Sequence, residues 1–560
     1  MKMAENAVSD PNAPKELSAP LPPRAAPAHT FRFWGTFVAL CLLSFISALD
    51  VAIITTALPT ITAEIGGAKE YTWIANSFVL ASSVFQPLFG QLANLFGRRK
   101  PLIVSTMLFA LGSGIGGGAT NPSMLIAGRT IQGVGAGGIY VLLDIVCCDL
   151  VSLKERGKYL GLMFSWSGVA AALGPVVGGA LAQANWRWIF YLNIPICGAA
   201  LAAILLFMRV KDGGSTVNNG QKSKFLQLDY LGNLIFIPSI ISVLLGLVMG
   251  GIEYPWSSWH VILPLVLGIL GWIAFHIQQH FSSNPSVPTR LFSNRTSAAA
   301  FVLTFLSSVL VQAISYFLPI YFQAVLGTTV FHSGVNFLPF AIGTLVFATM
   351  SGILLSKLGA YRPLHATAFA LSAVGFGLFT LLDESTSKVA WAFFQLIASA
   401  GSGMILSILL PAIMAGLPES DVASASAAYS FVRTFGYIWG VTIASIIFNS
   451  EFNKHLSSIS SSTLQKELED GAAYSFASHV HEVRGQYDAS VWSEVVQVYV
   501  TSLRTIWWVG LAFSLVGFFA VGAERGLELR KELETEYGID EEKKTTTKDN
   551  GGTVEALELS

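Results

Sequence analysis

The chain has 560 residues, 53% of them hydrophobic and only 12% charged, with a mean hydropathy of +0.59; soluble domains carry roughly a quarter of their residues as charges, so the bulk of this one belongs in lipid. Thirty-three Lys and Arg against thirty-four Asp and Glu give a net charge of −1, which leaves no basic surplus for nucleic acid. Cys41, Cys147, Cys148 and Cys197 all sit in apolar runs, which excludes a disulfide-stapled fold.

Residues 1–32 are rich in Pro, Ala and charge and read as a disordered cytosolic tail; the apolar stretch that follows is too long for a cleavable signal and stays as the first membrane helix. Spanning the hydrocarbon core takes about twenty apolar residues. Asp, Glu, Lys and Arg are absent from 71–96, 101–128, 159–186, 188–208, 230–252, 254–289, 296–356, 363–382, 389–418 and 505–523, and 33–58, 122–150 and 422–449 tolerate one or two. With 296–356 divided near Gly327–Gly334, the count is about fourteen spanning helices. The expected fold class is an all-α membrane protein with two six-helix lobes, 33–209 and 281–523, joined by a cytosolic linker, 210–228, and two inserted helices within 229–280. An outer loop at 450–501 and a cytosolic tail at 524–560 complete it.

Orientation follows from the basic residues of the short loops. One set of alternate loops carries Arg98, Arg99 and Lys100, then Lys154, Arg156 and Lys158, then Arg290 and Arg295, then Lys357 and Arg362; the opposite set offers only Lys69, Arg187 and Lys388. Both termini are therefore expected in the cytosol, and the sequon at Asn294 is expected to go unused. The chain also repeats itself. Gly90, Gly97 and Pro101 recur as Gly352, Gly359 and Pro363 at a constant offset of 262, which also carries Gly174 and Gly178 onto Gly436 and Gly440. Parallel repeats of this kind are a transporter architecture.

Several side chains stand out against the apolar background. Asp50 lies deep in the first helix, where a carboxyl is costly unless protonated or paired; exchange between those two states is what proton coupling needs, and a structural hydrogen bond to a neighbouring helix is the plainer alternative. Arg129 in the fourth helix lies at similar depth. It either pairs with Asp50, with Gln132 nearby, or snorkels to the outer interface. Asp144, further down the same helix, is either a second protonatable or substrate-contacting site or a solvated carboxyl beside Lys154 and Arg156. Gly174, Pro175, Gly178 and Gly179 let helix backbones approach and bend. Gly97 suits a helix-ending left-handed cap, with Arg98 and Arg99 at the dipole end beyond it. Arg433 is the one formal charge between 422 and 450, and it either pairs inside the second lobe or snorkels. Gln132, Asp144 and Arg433 make up the candidate substrate cavity. No phosphate-binding loop, zinc motif or nucleophile elbow is present, so no cofactor and no enzymatic activity are expected.

The stretches LDVAIITTALPTI, GQLANLFGRRK, GRTIQGVGAGG, GPVVGG and NWRWIFYLNIPI, in that order, resemble the major facilitator superfamily, in particular the fourteen-span drug:proton antiporters of fungi, over about 31–524. The resemblance implies alternating access by two rocking lobes, with Asp50 and Arg129 at positions tied to proton coupling. It also implies export of toxic secondary metabolites, drugs and xenobiotics across the plasma membrane, with lipid, protons and a small organic molecule as partners. Vacuolar carriers of basic amino acids and siderophore carriers share the pattern and remain the second reading. One departure is Asn94, where the loop motif usually has an acidic residue; the charge relay of that motif is then absent or carried by Asp149.

Overall fold

A computed structural model describes residues 30–65, 71–208, 224–251, 254–469 and 471–530. Most of the expected N-terminal tail, most of the 210–228 linker and the end of the C-terminal tail lie outside these residues. Fourteen helical crossings are described, α1 (Phe31–Ile65), α2 (Tyr71–Val84 running on as Gln86–Phe96), α3 (Arg99–Gly117), α4 (Pro122–Leu150), α5 (Leu153–Asn185), α6 (Arg187–Tyr191 and Asn193–Phe207), α7 (Tyr230–Met249), α8 (Trp259–Phe281), α9 (Arg295–Ile320), α10 (Val330–Leu358), α11 (Arg362–Phe379), α12 (Lys388–Met414), α13 (Val422–His455) and α14 (Ala489–Ala520). Eleven are apolar and long enough to cross unaided. The remaining three are α2, interrupted at Phe85, α5, whose first two turns carry Lys154, Glu155, Arg156 and Lys158, and α11, whose first turn carries Arg362, Pro363 and His365.

Helix starts follow local chemistry. Asn121 accepts from the Met124 amide ahead of Pro122 in α4, and Thr329 and Ser387 do the same for α10 and α12. Asn294 of the sequon is itself the cap of α9, accepting from Thr296 N at 2.9 Å. At the other end of α2, Gly97 takes φ +79°, a conformation that L side chains rarely adopt.

α1–α6 form one lobe and α9–α14 the other, each packed within itself. The lobes meet along two seams, α2 with α13 and α5 with α10, which the 262-residue offset maps onto each other. Small residues make these seams close. A Cβ on Gly90 would strike Ala427, one on Gly352 would strike the Gly157 carbonyl, and one on Gly161 would lie 2.8 Å from the Ala348 oxygen. Hydrogen bonds from Gln86 to Thr434 (3.1 Å), Asn94 to Ser424 (3.2 Å) and between Ser165 and Thr349 (2.8 Å) stitch them.

The inserted pair α7 and α8 touches both lobes. Asp229 caps α7 and gathers Gly232 N, Gln278 and Gln279, while Asn233 reaches Gln91 of α2 at 3.3 Å. On the other side Phe236 meets Phe431 and Trp272 meets Phe435, both on α13.

Two tail and loop expectations change. The 450–501 loop shortens, because α13 continues to His455 and α14 begins at Ala489. The segment between folds into short helices that bury Ile459, Leu464, Leu468 and Val480. A run of scattered apolar residues among polar ones is enough for such a cap. The start of the C-terminal tail is likewise packed: Glu524 meets His365 at 3.0 Å, the Tyr361 hydroxyl donates to the Arg525 carbonyl, and Lys154 N donates to the Arg530 carbonyl at 3.2 Å. Residues 524–530 thus lie across the end of the bundle and touch both lobes.

Candidate functional site

Asp50 of α1 is 1% exposed and accepts three hydrogen bonds, from Arg129 Nη1 at 2.5 Å, Gln132 Nε2 at 2.8 Å and Asn193 Nδ2 at 2.8 Å. Four elements converge to make this network. Arg129 and Gln132 are one turn apart on α4, Ser113 of α3 accepts from Gln132 (2.7 Å) and Asn193 (2.9 Å), and Asn193 opens the second segment of α6 where that crossing breaks at Leu192. Gly112 allows the approach, since a Cβ there would run into the Gln132 backbone. Gly174 brings α5 onto Ala52, two residues beyond the carboxyl. Gly178 is buried on the same helix, whereas the side chains of Pro175 and Gly179 lie outside the described residues.

The electrostatics are closed but asymmetric. Arg129 also donates to Gln132 Oε1 at 2.9 Å and lies 4.4 Å over the Phe78 ring, yet its Nε has no partner among the described residues. A guanidinium keeps its charge under all accessible conditions, whereas a carboxyl does not.

A second cluster joins the lobes. Asp144 of α4 is fully buried, accepts from Ser430 of α13 at 2.8 Å and faces Arg433 Nη2 at 3.6 Å. Arg433 lies over Phe164 (5.1 Å) and Tyr429 (4.9 Å). One expectation is corrected here and one alternative is set aside. Arg433 neither snorkels nor pairs inside its own lobe, because helix α13 turns it across the seam. Asp144 is not solvated, because the same helix covers it.

The loop after α2 forms a third unit. Gly97 lets the chain turn so that Arg98, 3% exposed, reaches Asp149 at 2.7 Å and the Ala93 carbonyl at 2.9 Å. Arg98 is thus paired with Asp149, and Asn94 lies on the seam with Ser424. Arg99 donates to the Leu205 carbonyl at 2.7 Å, and Gly90 sits on that seam too.

Sequence reasoning missed three features. Asn193 was visible only as the first amide in a charge-free run. Ser113 carried no signal, as serines are common in membrane helices. Arg156, read as a loop anchor, is fully buried and bonded to Glu419 at 2.8 Å and to the Cys148 carbonyl at 3.0 Å. Arg530 also approaches Glu419, at 3.5 Å.

Residues 40–441 match the model of the Major Facilitator Superfamily. The chain is 46% identical over 514 residues to the MFS efflux transporter aclA of Aspergillus oryzae, covering 91% of this chain and 92% of that protein. It is 42% identical over 548 residues to the MFS-type efflux pump LUC4 of a Fusarium species, covering 97% and 96%. Among solved structures it resembles the human organic anion transporter MFSD10 with a TM-score of 0.54 at 14% identity, over 87% of this chain and 99% of that one, a likeness of fold alone.

Proposed function

The chain belongs to the Major Facilitator Superfamily, a family of membrane transporters, and from that premise we propose that it is a proton-coupled antiporter exporting small lipophilic organic molecules by alternating access. The observation that carries this reading is the buried Asp50 carboxyl, held by one cation and two amides. Its position in one lobe, away from the seams, lets its protonation state bias that lobe's packing without blocking the path of cargo. Names of the relatives as efflux transporter and efflux pump support export.

The conformation suits one stage of the cycle. The seam contacts from Asn94, Arg156, Ser165 and Asp144 all fall toward the helix ends that carry the basic loops, the side assigned to the cytosol by charge asymmetry. The closed end is then the cytosolic one. A proton entering from outside would neutralise Asp50, free Arg129 and favour the opposite tilt, in which cytosolic cargo enters; cargo release outside and proton release inside complete the exchange. Asp144, the acid that would suit a basic amino acid, already faces Arg433, which weighs against the vacuolar-carrier reading and in favour of the plasma membrane.

Proteoliposomes loaded with a panel of lipophilic acids, neutral lipophilic toxins and basic amino acids test this. Gradient-driven movement of a lipophilic compound is expected. Asp50→Asn should lower it by about tenfold or more, corresponding to roughly 1.4 kcal/mol on the coupled step. Flux that ignores both the pH gradient and this substitution would contradict the proposal.

A further inference from the structure

Beside the Asp144–Arg433 contact lies a small cleft of about 20 Å³ inside the second lobe, between α9, α12 and α13. Its wall includes Thr304, Ser308, Ser402, Tyr437 and Arg433 on the polar side and Leu406 and Leu409 on the apolar side. That free space is little more than the roughly 10–15 Å³ one water needs, so in this conformation the cleft admits a small polar group and not a whole molecule.

The balance of donors and acceptors says which group. Thr304 and Ser308 spend their hydroxyl protons on their own helix, on the Ala300 and Thr304 carbonyls at 2.8 Å each. Ser402 and Tyr437 have no protein hydrogen-bond partner among the described residues. Arg433 carries five N–H donors, and its contacts are a 3.5 Å approach to the Tyr429 hydroxyl and the 3.6 Å approach to Asp144. Asp144 Oδ1 is itself buried with no hydrogen-bond partner among the described residues. The cleft is therefore rich in donors, and the one carboxylate facing its cation is too distant to saturate it.

We infer that Arg433 recognises an anionic oxygen group, a carboxylate or an acidic enolate, on the cargo, with the Ser402 and Tyr437 hydroxyls as auxiliary donors. A planar anion matches the guanidinium fork and forms two short charge-assisted bonds where Asp144 makes one long contact. Asp144 is the internal competitor. It holds the guanidinium in the empty state and yields it to the incoming anion, keeping its Ser430 bond. Because Asp144 and Arg433 belong to different lobes, this exchange removes one of two links across the seam and leaves the Ser430 bond as the other. Naming the bound molecule as cargo rests on the export reading above; the recognition of an anion by Arg433 does not.

The probe pair is N-dansyl-leucine and its methyl ester, which share an apolar body and differ in the carboxylate. Binding to the purified full chain in nanodiscs is followed by dansyl fluorescence. The acid should bind at least about tenfold tighter than the ester, as expected for hydrogen bonds to a charged group. In Arg433→Gln the acid-to-ester ratio should collapse to about one, in Arg433→Lys part of it should survive, and in Asp144→Asn it should rise. An equal affinity of wild-type protein for both probes, or a ratio unmoved by Arg433→Gln, overturns the inference. Should Arg433→Gln fail to fold, Asp144→Asn decides, because a lower ratio there has the opposite sign from that required. Gradient-driven efflux of the ester without any preference for the acid would sink this inference and leave export standing. An acid preference without gradient-driven movement of either probe would do the reverse.

Discussion

Asp50 and Arg129 differ from their neighbours in how far removing one leaves the other stranded. Arg129→Leu leaves a buried carboxylate with only two amide donors, and breaking a buried pair in this way costs about 3–5 kcal/mol. The expected result is a clear drop in melting temperature in detergent, with most of it recovered in the double variant Asp50→Asn, Arg129→Leu; a double variant no more stable than the single one would show that the two do not act as a pair. Asn193→Leu removes a donor to both Asp50 and Ser113. It should lower gradient-driven flux about tenfold or more at near-normal abundance, since a hydrogen bond to a charged group is worth about 1.5–3 kcal/mol, and unchanged flux would remove Asn193 from the site. The two charges were legible because a formal charge in a long apolar run has few explanations. Asn193 and Ser113 were not, because neutral polar residues in membrane helices carry no such penalty. The partner of Arg433 lay beyond sequence reasoning for a different reason: Asp144 stands 289 positions away in the other repeat, and nothing local fixes which residues face each other across a seam.

At the scale of helices, the glycines divide by what surrounds them. Gly97 has an unusual φ, so Gly97→Ala should cost stability whatever the space, by more than the ~0.4–1 kcal/mol that such a change gains at a compatible site. Gly352 sits in ordinary helix but against the Gly157 carbonyl, so Gly352→Val should push α10 from α5 and disfavour the closed end of the bundle. The Arg156–Glu419–Arg530 chain guards the same end. Glu419→Gln weakens the hold on a fully buried guanidinium and should speed maleimide labelling of Cys148, whose carbonyl Arg156 also binds; Cys148 is buried in this conformation. Labelling no faster than wild type would mean that Glu419 does not hold the seam shut. Helix number and the repeat were readable because span length and the 262-residue offset are properties of sequence alone. The break in α6 at Leu192, the helical cap between α13 and α14 and the packing of 524–530 were not, since each depends on surfaces supplied by distant elements.

For the whole molecule, two lobes share one packing scheme along paired seams, and the inserted α7 and α8 touch both lobes. Proton coupling asks more than architecture: a titrating group must change state once per turnover. The most direct test is to reconstitute the protein in weakly buffered liposomes without an imposed gradient, impose a gradient of a transported lipophilic compound, and record proton movement with a pH-sensitive dye. The account predicts a proton flux opposite in direction to the compound in wild-type protein and its loss in Asp50→Asn. Compound movement with no accompanying proton flux in the wild type, or equal proton flux in the Asn variant, would contradict it.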